Sequence, residues 1–315
     1  MKEIATGQAS GKIILMGEHA VVYGEPAIAM PFSAAQVTAV IRRSQTDRLD
    51  SAYYTGPLAQ VPQALNNLKE LLYMLRQDFS APPLLCTITS TIPAERGMGS
   101  SAAVAVAVTR AFLAWQQVEE TPAGLLHYVN TSEKIAHGNP SGIDAAATSG
   151  REPIFFERDK PFSAFPLNLE GCLIVADTGV KGKTRDTVRD VASLLKTNPR
   201  QAQAAIHQLG TLTRQAREAI SANQPRLLGL LINEAHTLLQ KLSVSDPMLD
   251  QLVQVARHNG ALGAKLTGGG RGGCMIALAP DARSAASIAK QLEDAGAAAT
   301  WIQRLGCPPA VPVSL

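Results

Sequence analysis

The sequence predicts a two-domain α+β fold. Short segments rich in β-branched residues dominate the first part of the chain, whereas long alanine- and leucine-rich segments dominate the second. This change falls between about residues 165 and 180, and 315 residues is roughly twice the length of a typical single domain. We therefore expect one domain over residues 1–170 and another over residues 171–315.

The first domain is predicted to contain four strands and two helices. The strands are expected at residues 12–16, 27–30, 36–41 and 84–91. One helix is expected at residues 65–75, and another in the apolar, alanine-rich run that ends near Trp115. A glycine- and serine-rich segment, residues 97–101, comes directly before that second helix.

The second domain is predicted to alternate helices with strands. Leucines recur at helical spacing within residues 185–242, and Asp246 followed by Pro247 has the pattern of an N-cap with a first-turn proline. Two strands are then expected on either side of a glycine run, followed by a helix and a last strand: residues 262–266, 274–278, 282–293 and 300–303. Strands separated by paired helices predict a split βαβ layout.

Composition narrows the class of protein. Hydrophobic residues make up 46% of the chain, which is enough for a large core and excludes disorder as the dominant state. The net charge is only +3 and no basic block occurs, so nucleic acid is not an expected partner. We find neither a signal peptide nor a run of about 20 apolar residues, so we expect a cytoplasmic protein without a membrane span. The cysteines lie far apart without a CxxC pair, which favours buried thiols over zinc or disulfide sites: Cys86, Cys172, Cys274 and Cys307.

A candidate phosphate loop spans residues 93–103, Pro-Ala-Glu-Arg-Gly-Met-Gly-Ser-Ser-Ala-Ala. Gly97 and Gly99 would let backbone N–H groups approach an anion, because they carry no Cβ. The helix that follows would direct its unpaired N–H groups and positive dipole end at a di- or triphosphate. Ser100 and Ser101 add hydroxyls that suit phosphate or Mg²⁺; alternatively, one of them is only an N-cap after a flexible turn.

Other segments carry further candidate groups. Residues 265–274 hold too many glycines for a simple hairpin, so either a ligand-shaped backbone or a bulged turn is expected. These glycines lie between two predicted strands and not at the start of a helix, so a Rossmann site is not predicted. No G-x-x-x-x-G-K-[ST] pattern occurs in the chain, so a Walker A site is not predicted either. Glu133 and Asp144 flank a turn at Asn139-Pro140, and a cation ligand and a base are what phosphoryl transfer requires. Taken singly, each carboxylate is also compatible with a surface charge or helix cap.

The start of the chain adds three polar residues. Lys12 begins an otherwise apolar predicted strand, and its ammonium is expected either in a cleft or at the protein surface. Glu18 and His19 follow Gly17, where they would either contact a polar substrate or cap the end of the strand.

Together these segments resemble the GHMP kinase superfamily. Residues 17–24, Gly-Glu-His-Ala-Val-Val-Tyr-Gly, have the form found in the branch that phosphorylates mevalonate, and the segments 97–103, 137–144 and 265–274 follow in family order. The resemblance implies an N-terminal ribosomal-protein-S5-like α/β domain and a C-terminal ferredoxin-like split βαβ domain, with the active site in the interdomain cleft. It also implies Mg²⁺-dependent transfer of phosphate from ATP to the C5 hydroxyl of mevalonate.

The resemblance further implies roles for residues of this chain. Asp144 matches the catalytic aspartate, and Lys12 matches the lysine near the acceptor hydroxyl and the γ-phosphate. Ser101 and Glu133 match the Mg²⁺ ligands, and Glu18 and His19 match the substrate-binding segment. The implied ATP-binding residues are Pro93, Ala94, Glu95, Arg96, Gly97, Met98, Gly99, Ser100, Ser101, Ala102, Ala103, Gly269 and Gly270. Similar enzymes are often homodimers.

Two departures and two alternatives stay open at this point. Glu95 and Arg96 stand where many relatives are richer in glycine and proline, which we expect to tune the loop without changing its identity. Arg271 stands where a small residue is common, and its guanidinium is expected either to strengthen nucleotide binding or to point to solvent. Another kinase of the superfamily, acting on phosphomevalonate or homoserine, and a catalytically silent nucleotide-binding protein are the alternatives.

Overall fold

The computed structural model describes residues 1–138, 140–158 and 160–306. The chain divides into two compact units whose segments alternate along the sequence. The first unit comprises Met1–Lys12, Pro31–Pro93 and Gly99–Gly150, and the second comprises Ile13–Met30, Ala94–Met98 and the chain from Arg151 onward. The predicted domain boundary between residues 170 and 171 stays a prediction.

The sheet of the first unit is organised around β5 (Leu84–Ser90). Two long strands precede β5 in the chain, β1 (Ile4–Met16) and β2 (Ala27–Arg43). A boundary between the two units falls within each of these two strands. The second half of β2 pairs antiparallel with β5, from Val37 opposite Ser90 to Arg43 opposite Leu84. On its other side β5 pairs in parallel with β3 (Arg48–Ser51), which forms an antiparallel pair with β4 (Tyr54–Pro57). Burial alternates along β5, so one face of this sheet packs against the core.

Four helices complete the first unit: α1 (Asn66–Asp78), α2 (Ser100–Gln116), α3 (Pro122–His137) and α4 (Ile143–Ser149). Helix α2 is buried over most of its surface and packs against α1, α3 and α4. A helix that is apolar on nearly every side is stable only in the interior of a unit. Because α2 begins at Ser100, the core fixes the position of the end of the phosphate loop.

The second unit contains a four-stranded antiparallel sheet: β8 (Cys172–Asp177), β9 (Gly263–Thr267), β10 (Cys274–Ala279) and β11 (Ala299–Arg304). Its strand order is β11-β8-β10-β9. Every residue of the two central strands, β8 and β10, is buried. Two short strands, β6 (Ile154–Phe156) and β7 (Ser163–Ala164), pair with each other, and β6 also pairs with the start of β2.

Five helices accompany this sheet: α5 (Thr184–Thr197), α6 (Pro199–Ser221), α7 (Pro225–Lys241), α8 (Pro247–His258) and α9 (Ala282–Asp294). The first four lie between β8 and β9 in the chain, and α9 lies between β10 and β11. This order confirms the predicted split βαβ layout and the α+β class. The predicted cap of α8 is also confirmed, because the Asp246 side chain accepts a hydrogen bond from the backbone N of Leu249 at 2.9 Å.

Several element boundaries differ from the predicted ones. The segments predicted at residues 27–30 and 36–41 belong to a single strand, β2, which pairs with β6 at its start and with β5 in its second half. The helical stretch predicted at residues 185–242 is divided among α5, α6 and α7. Helices α6 and α7 each begin at a proline, which lacks the N–H needed inside a helix but suits its first turn.

The cysteines and the possibility of a membrane span were the subjects of two expectations from the sequence. Cys86, Cys172 and Cys274 are free and buried, as predicted, and Cys307 lies outside the described residues. Within the described part of the chain, no helix combines the length and apolar character needed to cross a bilayer.

Candidate active site

An ion pair between Lys12 and Asp144 forms the centre of the candidate site in the first unit. Lys12 lies near the middle of β1, and Asp144 lies in the first turn of α4. Lys12 Nζ is 3.1 Å from Asp144 Oδ1, with the lysine side chain 7% exposed and the aspartate side chain 42% exposed. The pair therefore combines a nearly buried cation with a carboxylate that a small molecule can reach.

Glu133 and Ser101 lie beside this pair. Hydrogen bonding to Ser101 lowers the pKa of the Glu133 carboxylate, and both Lys12 and Asp144 are close enough to Glu133 to act on its charge. Burial is the largest influence and raises the pKa of Glu133, while the Ser101 hydrogen bond opposes that rise. Glu133 Oε1 is buried and has no hydrogen-bond partner among the described residues. The structure thus brings the four residues Lys12, Ser101, Glu133 and Asp144 together.

The turn before α2 explains how Lys12 passes beside the phosphate loop. Gly99 is the N-cap of α2 and has φ +68°, a left-handed conformation that glycine adopts without a steric cost. A Cβ at this position would lie 2.8 Å from Lys12 Cγ. Since Gly99 is the cap, Ser100 and Ser101 are helical residues, and the interpretation of either serine as a simple N-cap is wrong. The first N–H groups of α2 remain available to an anion.

Metal-binding potential at this site comes from oxygen ligands. Within residues 1–138, 140–158 and 160–306, no three His, Cys, Asp or Glu side chains cluster in a way that could hold a metal ion. The unpartnered, buried Glu133 Oε1 and the adjacent Ser101 hydroxyl are hard oxygen donors of the kind that Mg²⁺ prefers. Asn139, which belongs to the turn predicted between Glu133 and Asp144, lies outside the described residues.

The second unit brings Glu18 and His19 together with the glycine-rich segment 265–274. Glu18 forms an ion pair with Lys265, and both side chains are almost completely buried, at 1% and 0% exposure. Lys265 Nζ also donates to the Leu266 carbonyl at 3.0 Å. Sequence reasoning missed this role of Lys265, although a lysine inside the apolar strand β9 is a signal that a buried acid must accompany it.

His19 contacts the same glycine-rich segment. Its Nε2 lies 3.0 Å from the carbonyl oxygen of Gly269, so Nε2 carries the donated proton. Burial is the main cause of a lowered pKa for His19, which keeps the ring neutral at neutral pH. The other ring nitrogen, Nδ1, is then an acceptor for a hydroxyl or amide.

The Arg271 guanidinium contacts protein acceptors and does not point freely to solvent, and its expected contribution to nucleotide binding stays a prediction. Its Nη2 donates to the Ser243 carbonyl at 2.8 Å, and its Nη1 donates to Asp190 Oδ2 at 2.5 Å. The hydrogen bond from Arg271 is the largest of the influences that lower the pKa of Asp190. Arg271 itself has φ +49°, so these side-chain contacts hold the backbone of the glycine-rich segment in a left-handed conformation.

Comparisons with known proteins identify the family of the chain. Residues 66–151 match the family model for the GHMP kinases N terminal domain, and residues 216–298 match the model for the GHMP kinases C terminal domain. The chain is 32% identical to a mevalonate kinase of Thermococcus sibiricus over 95% of this chain and 96% of the relative. It is similar to the crystal structure of mevalonate kinase from methicillin-resistant Staphylococcus aureus MRSA252, with a TM-score of 0.79, 36% identity, and coverage of 97% of this chain and 100% of that one. The L. major mevalonate kinase in complex with R-mevalonate gives a TM-score of 0.85 at 27% identity over 98% of both chains.

Proposed function

The chain belongs to the GHMP kinase family, and we infer that it transfers the γ-phosphoryl group of ATP to the C5 hydroxyl of mevalonate. The products are 5-phosphomevalonate and ADP. The observation that carries the choice of substrate is the 32% identity to a mevalonate kinase along 95% of this chain. The pairing of Lys12 with Asp144 supports the chemistry of the transfer.

We propose Asp144 as the base in this reaction. The C5 oxygen forms a bond to the γ-phosphorus, its proton passes to the Asp144 carboxylate, and the bond from the γ-phosphorus to the bridging oxygen breaks so that ADP leaves with the electron pair. Phosphoryl transfer of this type has a loose transition state, so alignment of the hydroxyl matters more than base strength. The partly exposed Asp144 carboxylate suits both roles.

Lys12 is proposed to supply positive charge at the reacting group. Its Nζ lies 3.1 Å from Asp144 Oδ1 on a side chain that is nearly buried, where its charge is weakly screened by water. A fixed cation beside the base stabilises the negative oxygens of the transferred phosphoryl group.

Glu133 and Ser101 are the proposed Mg²⁺ ligands. Their oxygen donors fit a hard cation, and nucleotide sites hold Mg²⁺ with one or two carboxylates together with the phosphates. When bound with ATP, the ion supplies charge neutralisation and alignment of the phosphate oxygens. Glu133 must be ionised to serve as a ligand. Burial, which raises the pKa of Glu133, makes the ionised carboxylate costly without a partner, and a bound cation would compensate for that cost.

The backbone N–H groups of residues 97–101 are proposed to bind the ATP phosphates, since the turn at Gly99 leads directly into the first turn of α2. His19 is proposed to contact mevalonate through Nδ1, with Glu18 placed beside it by Lys265. Gly269 and Gly270 stay predicted ATP-binding residues, and the interdomain position of the site and the homodimer stay predictions.

A coupled ADP-release assay across candidate alcohols tests the proposed function. We expect turnover with R-mevalonate, a product heavier by one phosphoryl group, and no turnover with phosphomevalonate or homoserine. Turnover with one of those alcohols instead would contradict the choice of substrate. Binding of ATP without turnover of any alcohol would favour a catalytically silent nucleotide-binding protein.

A further inference from the structure

Arg96, in the middle of the phosphate loop, forms a nearly buried ion pair with Asp177 at the end of β8. Its Nε donates to both carboxylate oxygens, at 2.9 Å to Oδ1 and 3.1 Å to Oδ2, and its Nη2 donates to the Gly179 carbonyl at 2.9 Å. The two side chains are 15% and 8% exposed. Asp177 Oδ1 also accepts a hydrogen bond from the Gly179 backbone N at 2.9 Å. The guanidinium is thus held by a side chain and a backbone group of one turn.

Glu95, directly before Arg96, has an unfavourable backbone conformation. Glu95 has φ +59° and Gly97 has φ +78°, both in the left-handed region. A non-glycine residue in that region costs of order 1 kcal/mol or more and persists only where surrounding contacts determine it. Glu95 itself offers little support, because its ion pair with Lys181 lies on the surface, with 63% and 72% of the side chains exposed. The Arg96 side chain, by contrast, is 15% exposed and contacts Asp177 and the Gly179 carbonyl.

The turn that holds Arg96 also holds the glycine-rich segment. Thr178 N donates to the Gly273 carbonyl at 2.9 Å, and Gly273 N donates to the Val180 carbonyl at 2.7 Å. A Cβ on Gly273 would lie 3.3 Å from the Arg96 carbonyl oxygen, so the two backbones pass in contact. Residues 177–180 therefore connect two glycine-containing segments of the second unit, one through Arg96 and one through Gly273.

We propose that Arg96 and Asp177 form a positioning pair that holds the phosphate loop in the conformation that binds ATP. The inference rests on the proposed function, because ATP is the ligand proposed for this loop. A loop already held in its binding conformation loses less conformational entropy when the ligand binds. Arg96 acts through Asp177 and the loop backbone, because two of its three guanidinium nitrogens, Nε and Nη2, donate to protein acceptors. Direct contact of Arg96 with the phosphates is the alternative that the experiment separates from this role.

The experiment compares three variants by equilibrium titration with ATP: Asp177→Asn, Arg96→Met and the double variant. We expect the Kd for ATP to rise about tenfold or more in each, since re-ordering even one loop residue on binding weakens affinity by roughly that factor. The double variant should be no weaker than the single variants, because both remove one and the same contact. The KM for mevalonate should change less than about twofold, whereas a general loss of structure would change both affinities.

One control variant and one fallback variant keep the test decisive. Lys181→Gln removes an exposed cation beside the same loop, and its Kd for ATP should change less than about twofold if the positioning contact matters and the local positive charge does not. If Asp177→Asn fails to fold because it leaves Arg96 without its carboxylate, the double variant, which carries no unpaired buried charge, provides the test.

The alternatives predict different results. If Arg96 is a direct phosphate ligand, Asp177→Asn frees its guanidinium, and ATP binds equally well or more tightly; that result overturns the proposal. Unchanged ATP affinity in the double variant overturns it as well. Wild-type protein that binds no ATP refutes the proposed function itself, whereas wild-type binding with unaffected variants refutes only the positioning pair.

Discussion

Replacing Asp144 with asparagine is the most direct test of the proposed chemistry. The substitution keeps the shape of the side chain but removes its charge and its ability to accept a proton. We expect kcat to fall about 10²-fold or more, the scale of a lost general base, which corresponds to about 2.7 kcal/mol in the activation barrier. The loss is expected in kcat rather than in the Kd for ATP, because Asp144 is proposed to act on the acceptor hydroxyl.

The structure also indicates how little stability this substitution should cost. Asp144 is 42% exposed, and its ion pair with Lys12 spans 3.1 Å. An ion pair that water reaches on one side contributes about 0–1 kcal/mol. For a protein of this size such a change lowers Tm by no more than about 2–4 °C. A large loss of activity with a small change in Tm therefore separates a chemical role from a structural one.

The assay is ADP release at saturating ATP and mevalonate, together with thermal unfolding of the same samples. Asp186→Asn is a matched control, since Asp186 also lies in the first turn of a helix and is 50% exposed in an ion pair of 3.1 Å, with Arg189. We expect the control to keep kcat within about twofold of wild type. Near-normal turnover by Asp144→Asn would remove Asp144 from the mechanism, and equal losses in both variants would show that the assay responds to surface charge.

Three further predictions concern the neighbouring polar groups. Ser101→Ala should weaken the Mg²⁺ dependence of kcat/KM several-fold with little change in Tm, and an unchanged Mg²⁺ titration would leave Ser101 a purely structural role. Because burial raises the pKa of Glu133, the protonated carboxyl adds stability that is lost as the pH rises from the ordinary glutamate pKa through the raised one. Without Mg²⁺, urea unfolding at a series of pH values should therefore show wild type losing free energy of unfolding relative to Glu133→Gln over this pH range. The same pH dependence of the unfolding free energy in both proteins would contradict this. Lys265→Met should lower the free energy of unfolding by about 3–5 kcal/mol, since it removes the ammonium from the buried Glu18 carboxylate; a loss below about 1 kcal/mol would show that the ion pair does not stabilise the fold.

Local features of the chain were predictable because they depend on neighbouring residues. The helix start after Gly99, the Asp246 cap of α8 and the antiparallel strands around the glycine-rich segment all follow from side chains within a few residues of each feature. The prolines at the starts of α6 and α7 are local signals too, and reading them would have divided the long helical stretch correctly. The resemblance of four segments to one family added the expected reaction.

Partners that are distant in the sequence were decided only by the tertiary structure. Lys265 and Glu18 are 247 residues apart, and Arg96 and Asp177 are 81 residues apart. Neither distance nor residue type identifies such a pair, because the partner depends on strand register and on how loops pack against a sheet. The same holds for Arg271, whose guanidinium was free to reach phosphate or solvent until packing placed Asp190 and the Ser243 carbonyl beside it.

The sequence by itself therefore determined which residues are capable of phosphoryl transfer: a lysine, two carboxylates and a glycine turn that opens a helix. The tertiary structure decided that Lys12 and Asp144 lie 3.1 Å apart and that one oxygen of the buried Glu133 carboxylate has no hydrogen-bond partner in the described part of the chain. The physical reason is that chemistry belongs to individual side chains, whereas distance, burial and the resulting pKa shifts arise only when remote segments of the chain pack together.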